Sequence, residues 1–508
     1  MLNVSVLHKK YFIEDFKKFL KHPVRVKLSP QVKKSIKDSH KNFMELQKKN
    51  VKIYGVNTGF GKLSQVSIDI KDQKQLQLNL IRSHAAGIGR PIDFGLVRII
   101  MFLKLLTYAK GVSGIRKAVA DQLVEFLNHD LLPVIPRKSS VGASGDLAPM
   151  AHMALALIGE GEVHFQDRII PSMLALKEIG LEPLKLHPKE GLSLINGTQV
   201  STAFAIKAMN AAKNLFLTAD IIGALSVETS LSSRNVFKAN IHKLKDHKGQ
   251  QLVAKNIWNL LRNSEIVASH NNCERVQDPY SIRCIPQIHG ASRQSFQNSK
   301  QMIEQEINSV SDNPLILPDG SVHSSGHFHA EFVAQAMDTL AIAISEIGAI
   351  SERRINFFMK GIEPSIPPFV VSKPGIESGC MIVHVTATAL ASENKTLAHP
   401  ASVDSISTSA GQEDIVSMAP WAGRKALRII ENVTHILAAE LLVAARASIL
   451  FHKKLNPGIG TKSVLNLLKR HIKMQQGDHP YSKDLKVIAE LIRSGKIVKS
   501  VLKNVSIK

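Results

Sequence analysis

The chain of 508 residues is poor in cysteine, with only Cys273, Cys284 and Cys380, an odd number without C-x-x-C spacing. That argues against a disulfide scaffold or a zinc ribbon and makes a reducing compartment the expectation. It also lacks a membrane signal. The most apolar long stretch, Ile436 to Phe451, is interrupted by Glu440 and Arg446, whereas a spanning helix needs about 20 mostly apolar residues. The first fifteen residues mix Lys9, Lys10, Glu14 and Asp15 with short apolar pieces and do not form the apolar core of a signal peptide. Internal repeats and low-complexity linkers are missing as well. Hydrophobic residues nevertheless make up 44% and mean hydropathy is 0.00, enough for a large core. A soluble, cytoplasmic, globular protein is expected.

Acidic residues are the scarcer charge, 42 against 65 Lys and Arg, for a net +23. The excess is peripheral: residues 1–50 carry a net +9, residues 453–508 a net +10, and the middle only +4. Lysine pairs such as Lys17–Lys18, Lys33–Lys34 and Lys48–Lys49 have the spacing of solvated helix faces. A basic surface is the simpler reading, and binding of nucleic acid or another anionic surface is the alternative. No finger, RRM or basic-zipper signature accompanies the charge.

The second half reads as long helices. Val333, Met337, Leu340, Ile344 and Ile347 step by four and three, the stripe of a bundle helix. Ile430, Thr434, Leu437, Leu441, Ala444, Ser448 and Phe451 repeat those steps. Val253, Ile257, Leu260 and Leu261 form another face, and Thr198 to Leu231 is rich in Ala and Leu. The first half alternates short apolar pieces with glycine punctuation. Val163–Phe165 and Arg168–Ile170, flanking Gln166–Asp167, predict a hairpin. The expected class is mainly α, a long-helix bundle (201–508) with a smaller mixed N-terminal region (1–200) carrying the active-site loops; the division near residue 200 is soft.

The glycine clusters are not phosphate loops. Gly61–Lys62 has Val56 where a Walker loop needs its first Gly and Leu63 where it needs Ser or Thr. Gly59–Phe60–Gly61 has Ser64 in place of the third Gly of a dinucleotide fingerprint. His323, His327, His329 and Glu331 lie close in sequence but lack zincin spacing, so no metal is expected. Residues 139–150, SSVGASGDLAPM, are more unusual. One reading is a loop before a helix, with Ser144 or Asp146 as N-cap and Pro149 in the first turn. The other is chemical. Ala143-Ser144-Gly145 can close on itself if the Gly145 nitrogen attacks the Ala143 carbonyl. Loss of water there and of the Ser144 hydroxyl leaves a methylidene-imidazolone, an electrophile that standard side chains do not supply. Glycine suits the nucleophile because no side chain obstructs closure.

At these residues the sequence resembles the histidine/phenylalanine ammonia-lyase family. The resemblance extends over Tyr54 to Gly61, Arg82 to Gly87, Leu194 to Gln199, Val276 to Arg283, Phe328 to Glu331, Ala389 to Asp404 and Gln412 to Asp414, in family order from about residue 50 to 455. It implies a mostly helical homotetramer with active sites shared between subunits, and no external cofactor beyond the internal methylidene-imidazolone. By resemblance Ala143, Ser144 and Gly145 form the electrophile, Tyr54 is the base and Tyr280 supports it. Arg283 holds the substrate carboxylate, which its planar fork suits. Asn196 and Gln277 bond the prosthetic group and substrate, and Phe328 packs beside them.

Ser83–His84, Glu413 and Met381 match the histidine-type pocket, where phenylalanine-type relatives carry other residues. A polar pair suits an imidazole, and an unpaired buried Glu penalises a phenyl ring. The implied reaction is non-oxidative deamination of L-histidine to trans-urocanate and ammonia, in histidine degradation. The alternatives are a lyase or aminomutase of the same family for another aromatic amino acid, and a silent helical scaffold binding nucleic acid through its basic ends. Departures from the family pattern stand at His327, Glu377, Gly411 and Ile415.

Overall fold

The computed structural model describes residues 2–270, 275–474 and 477–508, so Cys273 lies outside the described residues. Among these the chain is mainly α, with nineteen α-helices against nine short strands. It divides into two compact units, each discontinuous in sequence: 1–207, 300–338 and 400–424 in the first; 208–299, 339–399 and 425–508 in the second. The first boundary lies near the division expected at residue 200. Two later segments return to the first unit, because boundaries fall inside the helices Gln199–Thr229, Ile285–Ile307, Glu331–Met359 and Ala419–Phe451.

In the first unit, Leu2–Val6 and Val24–Leu28 pair as parallel strands. Val24–Leu28 alternates buried and exposed residues, the period of a half-buried strand. The next helix, Pro30–Lys48, starts on a Ser29 cap with Pro at its first position and buries Val32, Ile36, Phe43 and Leu46. Its lysines at 33, 34, 37, 41 and 48 are exposed. Lys17–Lys18 follow a short 3-10 turn instead of lying on a helix. The expected hairpin forms, Glu162–Phe165 against Arg168–Pro171. Its turn residues Gln166 and Asp167 have φ of 50° and 60°, the left-handed pair of a two-residue hairpin loop. Helix Phe94–Ala109 is buried on nearly every face. It is apolar on nearly all sides, as a core helix must be; the exceptions are Lys104, which is fully buried, and Arg98, which is partly buried and paired with Asp130 at 2.6 Å.

The four long helices that the boundaries cut contribute residues to both units. The stripe from Val333 to Ile347 is buried throughout, as are Leu437, Leu441 and Ala444. Two helices, Glu331–Met359 and Ala419–Phe451, are long and apolar enough to cross a membrane by length and composition, but 67% and 83% of their most apolar windows is buried inside the protein. Glu440, which interrupts the second, is buried and fully engaged. Arg354 donates Nε to Oε1 at 2.5 Å and Nη2 to Oε2 at 2.9 Å, while Ser226 and Ser351 each donate a hydroxyl at 2.6 Å. A buried ion pair is tolerable only when its remaining lone pairs are satisfied, and here they are. Removing one member leaves the other charge stranded. Glu440→Ala is therefore expected to destabilise the protein by about 3–5 kcal/mol, read as a shift of the urea unfolding midpoint; a shift within error would show that Arg354 finds another partner.

Candidate active site

A cavity of about 1000 Å³ opens in the first unit. Tyr54, His84, Ala143, Ser144, Asn196, Phe328 and Glu413 line it together, although they span some 360 residues of sequence. Gln277, Tyr280, Arg283 and Met381 are not among its lining residues; they belong to the second unit.

The tripeptide occupies the turn that leads into helix Leu147–Leu157. Gly145 has φ +77°, and a Cβ there would lie 2.3 Å from the Gly197 carbonyl oxygen, so only glycine fits. Gly145 and Gly197 form an isolated parallel bridge, and the Asp146 amide donates to the Gly197 carbonyl at 2.7 Å. Asp146 stands at the N-cap position of helix Leu147–Leu157, yet its side chain makes no capping bond there. It serves another helix instead: its carboxylate accepts from the Ser201 amide at 2.7 Å and the Ser201 hydroxyl at 2.8 Å, in the first turn of Gln199–Thr229. The loop-before-helix reading holds in position, with Asp146 at the N-cap and Pro149 in the first turn, but the expected capping bond is not made, because the side chain finds its donors across space. Burial pushes the Asp146 carboxyl up to about 6, against the pull of the Ser201 and Val200 amides and the Ser201 and Ser140 hydroxyls. These surroundings fit a ring closed within residues 143–145. The glycine is required by its backbone, the wall behind it admits no side chain, and the Asn196 carboxamide oxygen is buried with no hydrogen-bond partner among the described residues.

Ser144 donates its hydroxyl to Glu413 Oε1 at 2.6 Å. Thr408 and Ser409 donate theirs to Oε2 at 2.6 and 2.8 Å. Burial alone would raise the Glu413 pKa, but these hydroxyls and nearby His84 outweigh it and hold the carboxyl below its ordinary value. His84 ends helix Gln73–His84. Its Nδ1 lies 2.8 Å from the Leu80 carbonyl, an acceptor only, so Nδ1 carries the proton and the neutral ring keeps Nε2 as an acceptor. Burial lowers the His84 pKa, against the Leu80 carbonyl and the Glu413 charge. One wall of the cavity thus offers an ionised carboxylate and a neutral imidazole.

Tyr54 sits in a loop, half-buried, with its hydroxyl accepting from the Gly61 amide at 2.9 Å and its ring edge-on to Phe60. Lys62 is the one Lys or Arg among the described lining residues, and the Gly61 amide is the hydrogen-bond donor to the Tyr54 hydroxyl. Phe328 is half-buried. Among the departures, Ile415 lines the cavity, and His329 Nε2 lies 3.4 Å from its carbonyl. His327 is exposed and bonded to Ser325; Gly411 has φ +82°. Glu377, in the second unit, accepts from the Ser372 amide. Among the described residues no group of three His, Cys, Asp or Glu is placed to hold a metal ion.

Thr408, Ser409, Ser201 and Lys104 carry weight in this arrangement and were missed in the sequence. Hydroxyl residues in loops are too common to be singled out without their partners. Lys104, an isolated lysine within the apolar run Ile99–Leu106, did carry a signal. In the second unit, Tyr280 is 70% exposed, Gln277 is exposed, and Met381 opens helix Met381–Leu397. The Arg283 guanidinium carbon lies 4.6 Å from the Tyr280 ring centroid, and its Nε is buried with no partner among the described residues.

Known proteins resemble this chain over most of its length. A family model described as aromatic amino acid lyase matches residues 12–470. Histidine ammonia-lyase of Aliivibrio fischeri is 49% identical over 448 residues, covering 88% of each chain; that of Vibrio cholerae is 44% identical over 97% of each. Among solved structures, histidine ammonia-lyase from Trypanosoma cruzi superposes with a TM-score of 0.90 at 35% identity, covering 99% of this chain and 95% of that one. Tyrosine aminomutase from Streptomyces globisporus gives 0.91 at 31% identity over the whole of both chains. A polar cavity built on Ala143-Ser144-Gly145, a mainly helical fold and matches of this extent lead to one conclusion: the chain belongs to the aromatic amino acid lyase family.

Proposed function

We propose that the protein deaminates L-histidine without oxidation, giving trans-urocanate and ammonia in histidine degradation. It is then a carbon–nitrogen lyase, working in the cytoplasm as a homotetramer. The observation that carries this reading is the meeting of Glu413 and His84 with Ser144 across one cavity. The similarity to histidine ammonia-lyases over most of the chain supports it. The exposure of Gln277 and Tyr280 on a single chain suits residues that complete a site shared between subunits.

In the reaction the β C–H bond and the α C–N bond break, the C–H electrons form the new double bond, and nitrogen departs with its own pair. The methylidene-imidazolone held by Ala143, Ser144 and Gly145 supplies an electrophile for the amine, which makes nitrogen a better leaving group. Tyr54 Oη receives the β-proton, and the Gly61 N–H at 2.9 Å favours its phenolate. Arg283 holds the carboxylate with its planar fork, and Asn196 presents a carboxamide to the cavity. The substrate ring meets Glu413 and His84. Loss of the Ser144 hydroxyl on ring closure frees Glu413 Oε1, the atom it occupies at 2.6 Å, to accept from an imidazole N–H. His84 Nε2 can accept the second N–H when the substrate ring is protonated, since a neutral imidazole carries only one. A phenyl ring leaves both unsatisfied.

The direct test is incubation of purified protein with L-histidine, following the near-ultraviolet band of urocanate and the release of ammonia. Faster turnover of tyrosine than of histidine would transfer the reading to a relative with another aromatic substrate. The intact mass of wild type is expected two waters below that encoded. Ser144→Ala should keep the fold and lose nearly all activity; an unshifted mass in active protein excludes the ring. Arg283→Lys keeps the charge but loses the fork. A loss of about 2–3 kcal/mol in kcat/KM is expected, and wild-type efficiency in that variant removes Arg283 from the site. Selectivity for histidine over phenylalanine should be on the order of 10⁴. Glu413→Gln should erode it by weakening histidine turnover far more than residual phenylalanine turnover, measured as kcat/KM for both substrates in both proteins.

A further inference from the structure

Behind the cavity wall, helix Phe94–Ala109 carries one cation into the core. The Lys104 side chain is fully buried, and its ammonium donates to the main-chain carbonyl of Asn196 at 2.6 Å. Asn196 closes helix Glu190–Ile195, whose last carbonyls have no partner within the helix, so a cation there meets the negative end of the helix. Directly after it, Gly197 is the backbone that faces Gly145 and accepts from the Asp146 amide. One ammonium therefore fixes two things: the direction of the Asn196 carboxamide, and the wall against which the tripeptide turns.

We propose that Lys104 is a positioning residue of this site, holding the Asn196–Gly197 backbone in the place that ring closure at Ala143-Ser144-Gly145 and substrate binding both require. The inference rests on the lyase reading given above. Several charged and titratable groups surround the ammonium. Asp312, between helix Ile285–Ile307 and strand Leu315–Ile316, attracts it, and Lys189, which lies 3.7 Å from Asp312, repels it. On its own helix the Tyr108 ring centroid is 5.3 Å away, and the Tyr108 hydroxyl donates to Ser193. Glu190 is engaged by Arg116 at 2.7 Å. Burial outweighs the attraction of Asp312 and, with the repulsion of Lys189, brings Lys104 down from 10.5 to about 8. On moderate alkalinisation the ammonium becomes a neutral amine, which can still donate an N–H but loses the charge that strengthens the bond to the Asn196 carbonyl. Between about pH 8 and 10.5 the unfolded chain binds more protons at this group than the folded one, so its contribution to stability rises with pH. Alkaline inactivation through Lys104 thus comes without unfolding.

The test compares wild type, Lys104→Met and Lys104→Arg by intact mass, steady-state kinetics against pH, circular dichroism and amide hydrogen exchange. In Lys104→Met, exchange over residues 194–200 should accelerate and a fraction of chains should keep the two waters. In chains that have closed the ring, kcat should fall about 10- to 100-fold with a smaller change in KM. Lys104→Arg should restore most of the ring and move the alkaline limb upward, because guanidinium stays charged. Wild-type exchange and complete ring closure in Lys104→Met overturn the proposal. If that variant does not fold, an alkaline limb in Lys104→Arg unchanged from wild type overturns it equally. A wild type with neither ring nor urocanate rejects the lyase reading and this proposal with it. A competent wild type with unaffected variants rejects the role of Lys104 alone.

Discussion

Most of the candidate site depends on one buried carboxylate. Asp146 sits at full burial between the end of the Ala143-Ser144-Gly145 turn and the first turn of Gln199–Thr229, and it bonds both the amide and the hydroxyl of Ser201. Its own amide is tied to Gly197. A charge in that position is costly unless several donors surround it, and helix N-termini supply such donors without further arrangement. The start of a 31-residue helix therefore becomes the fixed point from which the tripeptide is held. Since the same helix continues into the second unit, the turn is anchored on a long and well-buried element.

The wall opposite uses another kind of support. Glu413 is gripped by three hydroxyls, from Ser144, Thr408 and Ser409. The grip is made possible by a tight turn in which Ser409, Ala410 and Gly411 all have positive φ. For Ser and Ala this conformation is unfavourable and persists only where its surroundings fix it. Here strain in the backbone is coupled to the placement of a carboxylate. The Ser144 hydroxyl is the one partner of the three that ring closure would consume, so under the proposed function the same Glu413 oxygen would be released by closure and used by the substrate. Lys104 plays the corresponding part behind Asn196, as a cation in a core helix that bonds to main chain instead of to a carboxylate.

Charges elsewhere follow the same logic. Glu440 and Arg354 are buried in the second unit because two serine hydroxyls complete their shells. The lysines of helix Pro30–Lys48 lie on its solvated side and add to the basic surface without entering any core.

The sequence by itself determined the helical stripes, the hairpin at Gln166–Asp167 and the grouping of Tyr54, His84, Ser144, Asn196, Phe328 and Glu413 by family motif, and these six line one cavity. Periodicity and turn residues are local properties, and a motif keeps its residue types together. Tertiary structure alone decided what Asp146 does, since a carboxylate before a helix looks like an N-cap until a stronger pair of donors appears from residue 201. It alone brought Glu413 to Ser144 across 269 positions, and gave Thr408, Ser409 and Lys104 their hydrogen-bond partners. A hydroxyl or an ammonium carries no mark in sequence of the acceptor it will meet, because that meeting depends on how distant segments pack, and hydrogen bonds act over only about 3 Å.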